Sequence, residues 1–131
     1  MTFLADTHIL IWALNFPTKV SPTIKQCLSS RSQKCLYSPV SLWEIAIKYG
    51  LGKLDLLGHT PEEFLAELDA SFFECLPLDN TTIVTSYQLP RLHGDPFDRM
   101  LIWQAISSGC TLLSADAATD QYAPYGLAVL H

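Results

Sequence analysis

The sequence predicts a three-layer α/β sandwich: a short parallel sheet of four or five strands with helices on both faces. Three observations carry this. Short apolar runs without polar alternation recur along the chain, as in Thr2-Phe3-Leu4-Ala5 and Cys110-Thr111-Leu112-Leu113-Ser114-Ala115. Such runs suit strands covered on both faces. Segments with helical start signals separate them, and strands alternating with helices imply parallel crossovers. Finally, 131 residues, 49% of them hydrophobic, suffice for one core and one domain, residues 1–131.

Taken in order, Thr2–Ala5 is the first strand and ends at Asp6. Thr7 to Asn15 reads as a helix stopped near Pro17. A second helix starts at the Ser21-Pro22 cap and runs to about Ser30, followed by a strand at Lys34–Tyr37. Ser38-Pro39 reads as a turn. Ser41 and Glu44 match a capping box, which opens a helix from Leu42 to Tyr49 that Gly50 and Gly52 break. Thr60-Pro61-Glu62-Glu63 starts another helix, with Phe64, Leu65 and Leu68 at helical spacing. A third strand is expected over Phe73–Leu78. Asp79 or Asn80 caps a short helix to Gln88, before Pro90.

The next helix has Asp95 as its cap and Pro96 in its first turn. Beyond Asp98 it is apolar on almost every side and closes near Ser108-Gly109, so it is expected to be buried. The apolar run 110–115 is the fourth strand and ends at Asp116. A short helix and a last strand at Gly126–Leu130 complete the chain.

Bulk properties narrow the function. The formal charge is −5, whereas nucleic-acid binders lean basic to neutralise phosphates. An enzyme that meets phosphate through a bound cation escapes that objection. Cys27, Cys35, Cys75 and Cys110 share no CxxC spacing, so they read as free thiols in a reducing compartment. The run Ile9–Leu14 is too short to span a bilayer and lacks a preceding basic stretch. A cytoplasmic protein with no membrane partner is the expectation. Neither GxxxxGK[ST] nor GxGxxG occurs.

Asp6, Glu44, Asp98 and Asp116 share a placement. Asp6 and Asp116 end apolar strands, while Glu44 and Asp98 lie in the first turns of apolar helices. Ligands of open parallel sheets bind outside the carboxyl ends of the strands. Each residue alone has a capping explanation, and Glu44 has a partner one turn on in Lys48. Together they read differently. Asp98 shares a face with Leu101, Ile102 and Ala105, and Glu44 with Val40 and Ile47, so both carboxylates point towards apolar surroundings. Two carboxylates ~4 Å apart repel by ~4 kcal/mol at an effective dielectric near 20, so four need protons or a cation. Oxygen-only donors select Mg²⁺ or Mn²⁺. Such a site polarises phosphoryl oxygens and activates water, which is the chemistry of phosphodiester hydrolysis.

Phe3-Leu4-Ala5-Asp6-Thr7-His8, Ser38–Lys48 with its SLWEIAIK core, His93-Gly94-Asp95-Pro96-Phe97-Asp98-Arg99-Met100-Leu101-Ile102 and Leu113-Ser114-Ala115-Asp116 resemble, in this order, the PIN-domain nucleases. Among them the VapC-type toxins of type II toxin–antitoxin systems are most similar. The resemblance implies a PIN fold and Mg²⁺- or Mn²⁺-dependent cleavage of RNA. It also implies a homodimer and a cognate antitoxin partner. Asp6, Glu44, Asp98 and Asp116 match the catalytic, metal-holding set, with Asp95 as a cap beside it. Ser114 stands where many relatives carry threonine and keeps a hydroxyl that, with Thr7, is expected to bond the carboxylates. His8 is either a substrate contact or a packed histidine. His93 reads as a turn residue. Lys48, Arg91 and Arg99 read as solvated or carboxylate-paired side chains ahead of RNA contacts. Two other readings remain at this stage: a binding module that does not cut, and a deoxyribonuclease with the same site. The greasy stretches Val40–Leu57 and Pro61–Phe73 carry Trp43, Tyr49, Leu54, Leu56, Leu57, Phe64 and Phe72, and any exposed part suits an antitoxin helix.

Overall fold

Successive strand residues point to opposite faces of a sheet, and here both faces are apolar. Phe3 and Ala5 of β1 (Thr2–Ala5) face one core and Leu4 faces another. Cys35 and Tyr37 of β2 (Lys34–Tyr37) share a core with Phe3, whereas Leu36 shares one with Leu4. The computed structural model describes all residues, 1–131. Its five strands, completed by β3 (Glu74–Cys75), β4 (Thr111–Leu113) and β5 (Ala128–Leu130), form one all-parallel sheet in the order β3-β2-β1-β4-β5. Phe3 pairs with Cys35 on one side and Thr111 on the other.

That order sends the chain outward from β1 through β2 to β3, then back across to β4 and β5. Crossovers in a parallel sheet are right-handed, so the two directions place helices on opposite faces. On one face lie α1 (Thr7–Asn15), α2 (Pro22–Ser29), α3 (Pro39–Gly50) and α4 (Pro61–Asp69), filling a core with Ile9, Leu10, Ile24, Ile45, Phe64 and Leu68. The other face is covered by α6 (Pro96–Ser108) and a 3₁₀ stretch, Ala117–Tyr125, through Ile102, Ala105 and Tyr122. Between β3 and α6 lies the short α5 (Asn80–Thr85). The three-layer expectation is met with five strands. No helix is long and apolar enough to cross a membrane.

Three details differ from the sequence reading. First, α3 starts at Pro39, not Leu42. Ser38 is its cap, its Oγ accepting from the Val40 N–H at 3.1 Å. Ser41 is fully buried and accepts instead from Thr7 Oγ1 at 3.0 Å, tying the start of α1 to α3. A polar residue followed by proline caps α2, α4 and α6 as well, at Ser21-Pro22, Thr60-Pro61 and Asp95-Pro96. Pro39 fits the same first-turn position, where its missing N–H costs nothing. Second, β3 is only Glu74–Cys75. The Leu76 N–H still reaches Tyr37 O at 2.8 Å, but Pro77 has no N–H to continue the ladder. Third, β4 and β5 are shorter than expected, and residues 117–125 form a 3₁₀ stretch containing Pro124.

α6 runs as expected, from the Asp95 cap to Gly109, whose positive φ of 68° lets its N–H close onto Ala105 and Ile106 carbonyls. Buried Gln104 on this helix donates to Leu76 O at 3.1 Å and Pro77 O at 3.3 Å, fastening α6 to the exit of β3. The loop before α6 is held by fully buried Tyr122. Its hydroxyl accepts from the Leu92 N–H at 3.1 Å and the His93 N–H at 2.8 Å, and lies 3.1 Å from Pro90 O, to which it donates. Arg99 completes the latch, donating to Leu89 O at 3.0 Å and Pro90 O at 2.9 Å.

Tyr122→Phe keeps the ring but strands two backbone N–H groups. Unfolding by urea is expected to show a loss of about 1–3 kcal/mol. A loss below about 0.5 kcal/mol, the range of an indifferent surface substitution, would mean that water replaces the hydroxyl.

Candidate metal centre

The strand order reverses direction between β1 and β4, and a crevice opens at such a switch point beyond the strand ends. Asp6 follows β1 there and Ser114 follows β4, with the Asp6 N–H donating to Leu113 O at 2.9 Å. A cleft of about 280 Å³ lies at this edge. Its walls include Asp6, Asp98, Ser114 and Asp116, with His8 and Trp12 of α1 on one side. Three of the four carboxylates singled out in the sequence therefore share one cavity. Glu44 does not line it, but its charge acts on both Asp6 and Asp98.

Each carboxylate is held by local structure. Asp6 caps α1, its Oδ1 accepting from the Ile9 N–H at 2.9 Å, yet it is 92% buried. Burial raises its pKa. The Ile9 N–H and the Ser114 hydroxyl, which faces its carboxylate, act in the opposite direction. Asp116 caps the 3₁₀ stretch through the Ala118 N–H at 2.9 Å, which holds its pKa down, and the Asp116 N–H donates to Ser114 Oγ at 3.0 Å. Ser114 thus touches the surroundings of both strand-end aspartates. Capping and convergence are compatible: the cap bonds occupy one oxygen and aim the other.

Asp95 is the cap of α6, accepting from Phe97 and Asp98 N–H groups at 2.8 and 3.2 Å. One turn in, Asp98 is half-buried. Burial first, then the charges of Asp95 and Glu44, push its pKa up to about 6; His93 opposes them. Glu44 is 98% buried. Its Oε2 is paired with Lys48, and its Oε1 has no hydrogen-bond partner at all. The alternative partner noted in the sequence, Lys48, is therefore real, and it satisfies only half of the carboxylate. Lys48, which holds its proton more tightly for that contact, also feels Asp95 and Asp98.

His93 has a role the sequence did not reveal. Its Nε2 stands 3.3 Å from both Asp98 Oδ2 and Asp116 Oδ2. Its Nδ1 accepts the Asp95 N–H at 3.1 Å, which places the ring proton on Nε2, between the carboxylates. The three groups bring one donor atom each within 4.8 Å of one another. The ring arrives there because Tyr122 grips the His93 backbone from 29 residues away, and no local motif announces that. Thr7 bonds Ser41, not a carboxylate. Arg99 is spent on the Tyr122 latch and faces neither a carboxylate nor the cleft. Arg91 is exposed, outside the cleft.

A hard divalent cation fits this donor set. Three features support the fit: the orphaned Oε1 of Glu44, the raised proton affinity of Asp98, and three carboxylates with too little neighbouring positive charge.

The PIN domain family model matches residues 3–124. The fold is similar to that of VapBC2 from Rickettsia felis, solved bound to a DNA fragment from its promoter. That match has TM-score 0.70 and 18% identity over 99% of this chain and 98% of that one. DNA-bound VapBC from Salmonella typhimurium matches with TM-score 0.67 and 20% identity, over 99% and 97% of the chains. The PIN domain endonuclease Utp24 matches with TM-score 0.56 and 16% identity, over 98% and 83%. No curated protein matches the sequence. With the family model spanning nearly the whole chain, the chain belongs to the PIN domain family.

Proposed function

We propose that this PIN domain is a Mg²⁺- or Mn²⁺-dependent endoribonuclease, the toxin of a toxin–antitoxin pair, acting as a homodimer and restrained by a cognate antitoxin. The observation that carries the reading is the convergence of Asp6, Asp98 and Asp116 on one cleft, with the unpartnered oxygen of Glu44 behind them. The likeness to VapBC structures supports the toxin–antitoxin part.

In this reading Asp6, Asp98 and Asp116 hold the cation. When bound, it supplies positive charge opposite a phosphoryl oxygen and lowers the pKa of a water. Glu44, just outside the cleft lining, would orient a water through Oε1, while Lys48 keeps the other oxygen occupied. The chemistry so supplied would be phosphodiester hydrolysis, in which water adds to phosphorus, the opposite P–O ester bond breaks and the water's proton ends on the departing oxygen or in solvent. His93 donates to Asp98 and Asp116 and holds them in register. Trp43, Tyr49, Leu51, Leu57 and Phe72 are exposed, while Leu56 and Phe64 went into the core. The exposed set supports a protein partner on the α3–α4 side. Trp43 stands edge-on to Phe97, 5.3 Å between ring centres, which brings this surface to the first turn of α6.

Asp98→Asn is expected to abolish Mg²⁺-dependent RNA cleavage. It is also expected to stabilise the metal-free protein by about 1 kcal/mol, because removing a carboxylate whose pKa is pushed up to about 6 by burial and by the charges of Asp95 and Glu44 outweighs the lost attraction of the helix N-terminus, even after discounting for partial exposure. Full cleavage by this variant would overturn the assignment. Single-stranded DNA run in parallel separates ribonuclease from deoxyribonuclease.

The pH dependence has a defined sign. The folded state holds the Asp98 proton more tightly than the unfolded chain, so the contribution of this group to metal-free stability is lost as pH rises from about 4 to about 6. A cation competes with that proton. The rise in melting temperature given by saturating Mn²⁺ is expected to grow across the same window and flatten above it. A Mn²⁺ shift that shrinks with rising pH would contradict a site on Asp98.

Expressed alone, the chain is expected to arrest growth, and co-expression of the neighbouring small antitoxin gene to relieve the arrest. Colony counts after induction decide it; unimpaired growth with intact soluble protein would remove the toxin reading.

A further inference from the structure

An acidic protein has little surface charge with which to hold a nucleic-acid strand, so affinity at its cleft must come from another source. The cleft wall opposite α6 is aromatic. His8 and Trp12 lie one turn apart on α1 and both line the cavity that holds Asp6, Asp98 and Asp116. Their rings are 5.9 Å apart, tilted at 52°. His8 is exposed. Trp12 is half-buried: part of its ring packs on the core and part forms the cavity wall. Lys19 Nζ stands 5.8 Å from the Trp12 ring centre, which puts a positive charge beside the aromatic surface.

Leu101, Ile102, Leu112 and Ala115 supply apolar lining, and the hydroxyls of Ser114 and Thr119, which also line the cavity, are engaged with the Asp116 N–H at 3.0 Å and the Asp116 carbonyl at 2.7 Å. A flat apolar ring facing apolar side chains, beside a carboxylate cluster, suits a planar group attached to a phosphate. We propose that Trp12, with His8 at its edge, is a stacking subsite for a nucleobase of single-stranded RNA next to the phosphate that is cut. The assignment rests on the nuclease reading above and adds the residues that position its substrate. Stacking engages the π-face that every base has, so this subsite selects unpaired strands over duplex without reading a particular base. A paired base is already stacked within its helix and cannot enter.

The test measures binding apart from cleavage. Fluorescein-labelled five-nucleotide RNA is titrated with full-length protein in Ca²⁺, with anisotropy as the readout. Trp12→Leu keeps an apolar body against the core, and His8→Ala changes an exposed residue. Trp12→Leu is expected to weaken binding about tenfold or more, since a base–aromatic stack contributes ~1–3 kcal/mol. His8→Ala is expected to weaken it less. The same strand with one base removed, moved through each position in turn, is expected to lose affinity to wild type at one position only, and to lose nothing further to Trp12→Leu there. In a Trp43→Phe/Trp103→Phe background, the single remaining tryptophan is expected to be quenched on binding. Trp12→Leu binding RNA as tightly as wild type, with no quench, overturns the subsite and leaves the nuclease reading standing. Retention of the Mn²⁺ melting shift in Trp12→Leu shows that the metal centre is intact, so the weakened binding belongs to the subsite. Wild type that shows neither Mn²⁺ shift nor RNA binding overturns both readings together.

Discussion

Like charges gathered at one sheet edge are the constraint on which the rest of the structure depends. Asp6, Glu44 and Asp98 come from three different elements and act on one another through a partly buried space. Their repulsion opposes folding, and little nearby positive charge is available to cancel it. Lys48 neutralises one oxygen of Glu44, and the Nε2–H of His93 bridges Asp98 to Asp116. What remains uncompensated is the form of a cation site: proton affinity rises at Asp98, and an acceptor is left open at Glu44. A protein tolerates such a cluster when the surrounding frame is stable enough to hold it.

That frame is built from elements with few conformational choices. β1 and β4 are central strands buried on both faces, so the aspartates that follow them start from fixed positions. α3 and α6 each begin with a cap and a proline, which sets where the helices start and therefore where Glu44, in the second turn of α3 and not the first as the sequence suggested, and Asp98, in the first turn of α6, project. Thr7 and Ser41 bond across the starts of α1 and α3. Tyr122 and Arg99 clamp the 89–93 segment and so deliver His93. Apart from the Gln104 and Tyr122 bonds, which come from within their elements, these polar bonds lie at element ends and the apolar contacts lie along their lengths, so positional precision is concentrated at the edge where chemistry is proposed.

The sequence revealed the parts of this frame that are encoded locally. Apolar runs ending in aspartate showed β1 and β4, and the face shared by Asp98, Leu101, Ile102 and Ala105 showed which way the helix turns; all three apolar partners are buried. α3 starts three residues before the sequence predicts, because Ser41 and Glu44 imitate a capping box while the true start is Ser38-Pro39, the pattern that also starts three other helices. The same local criterion, applied consistently, would have found it. His93 is a different case. Its place depends on Tyr122 and on Asp95 and Asp116 meeting across the fold, and no spacing in the sequence encodes a contact between residues 93 and 122. Arg99, read as a solvated or paired charge, serves carbonyl groups that only the folded loop brings together.

Net acidity joins these observations. A basic nuclease can hold its substrate through many phosphate contacts and leave the metal to chemistry alone. With a charge of −5, this chain repels a strand at long range, so in the proposed reading the cation and the aromatic wall of the cleft together supply both attraction and placement. Stacking is short-ranged and requires the base to be free, whereas the cation's pull is local to one phosphate. Their combination acts on a strand already unpaired at the point of attack and is indifferent to its flanks. Recognition of a longer or folded target then has to come from surface outside the cleft, from a second copy of the chain, or from the shape of the RNA itself.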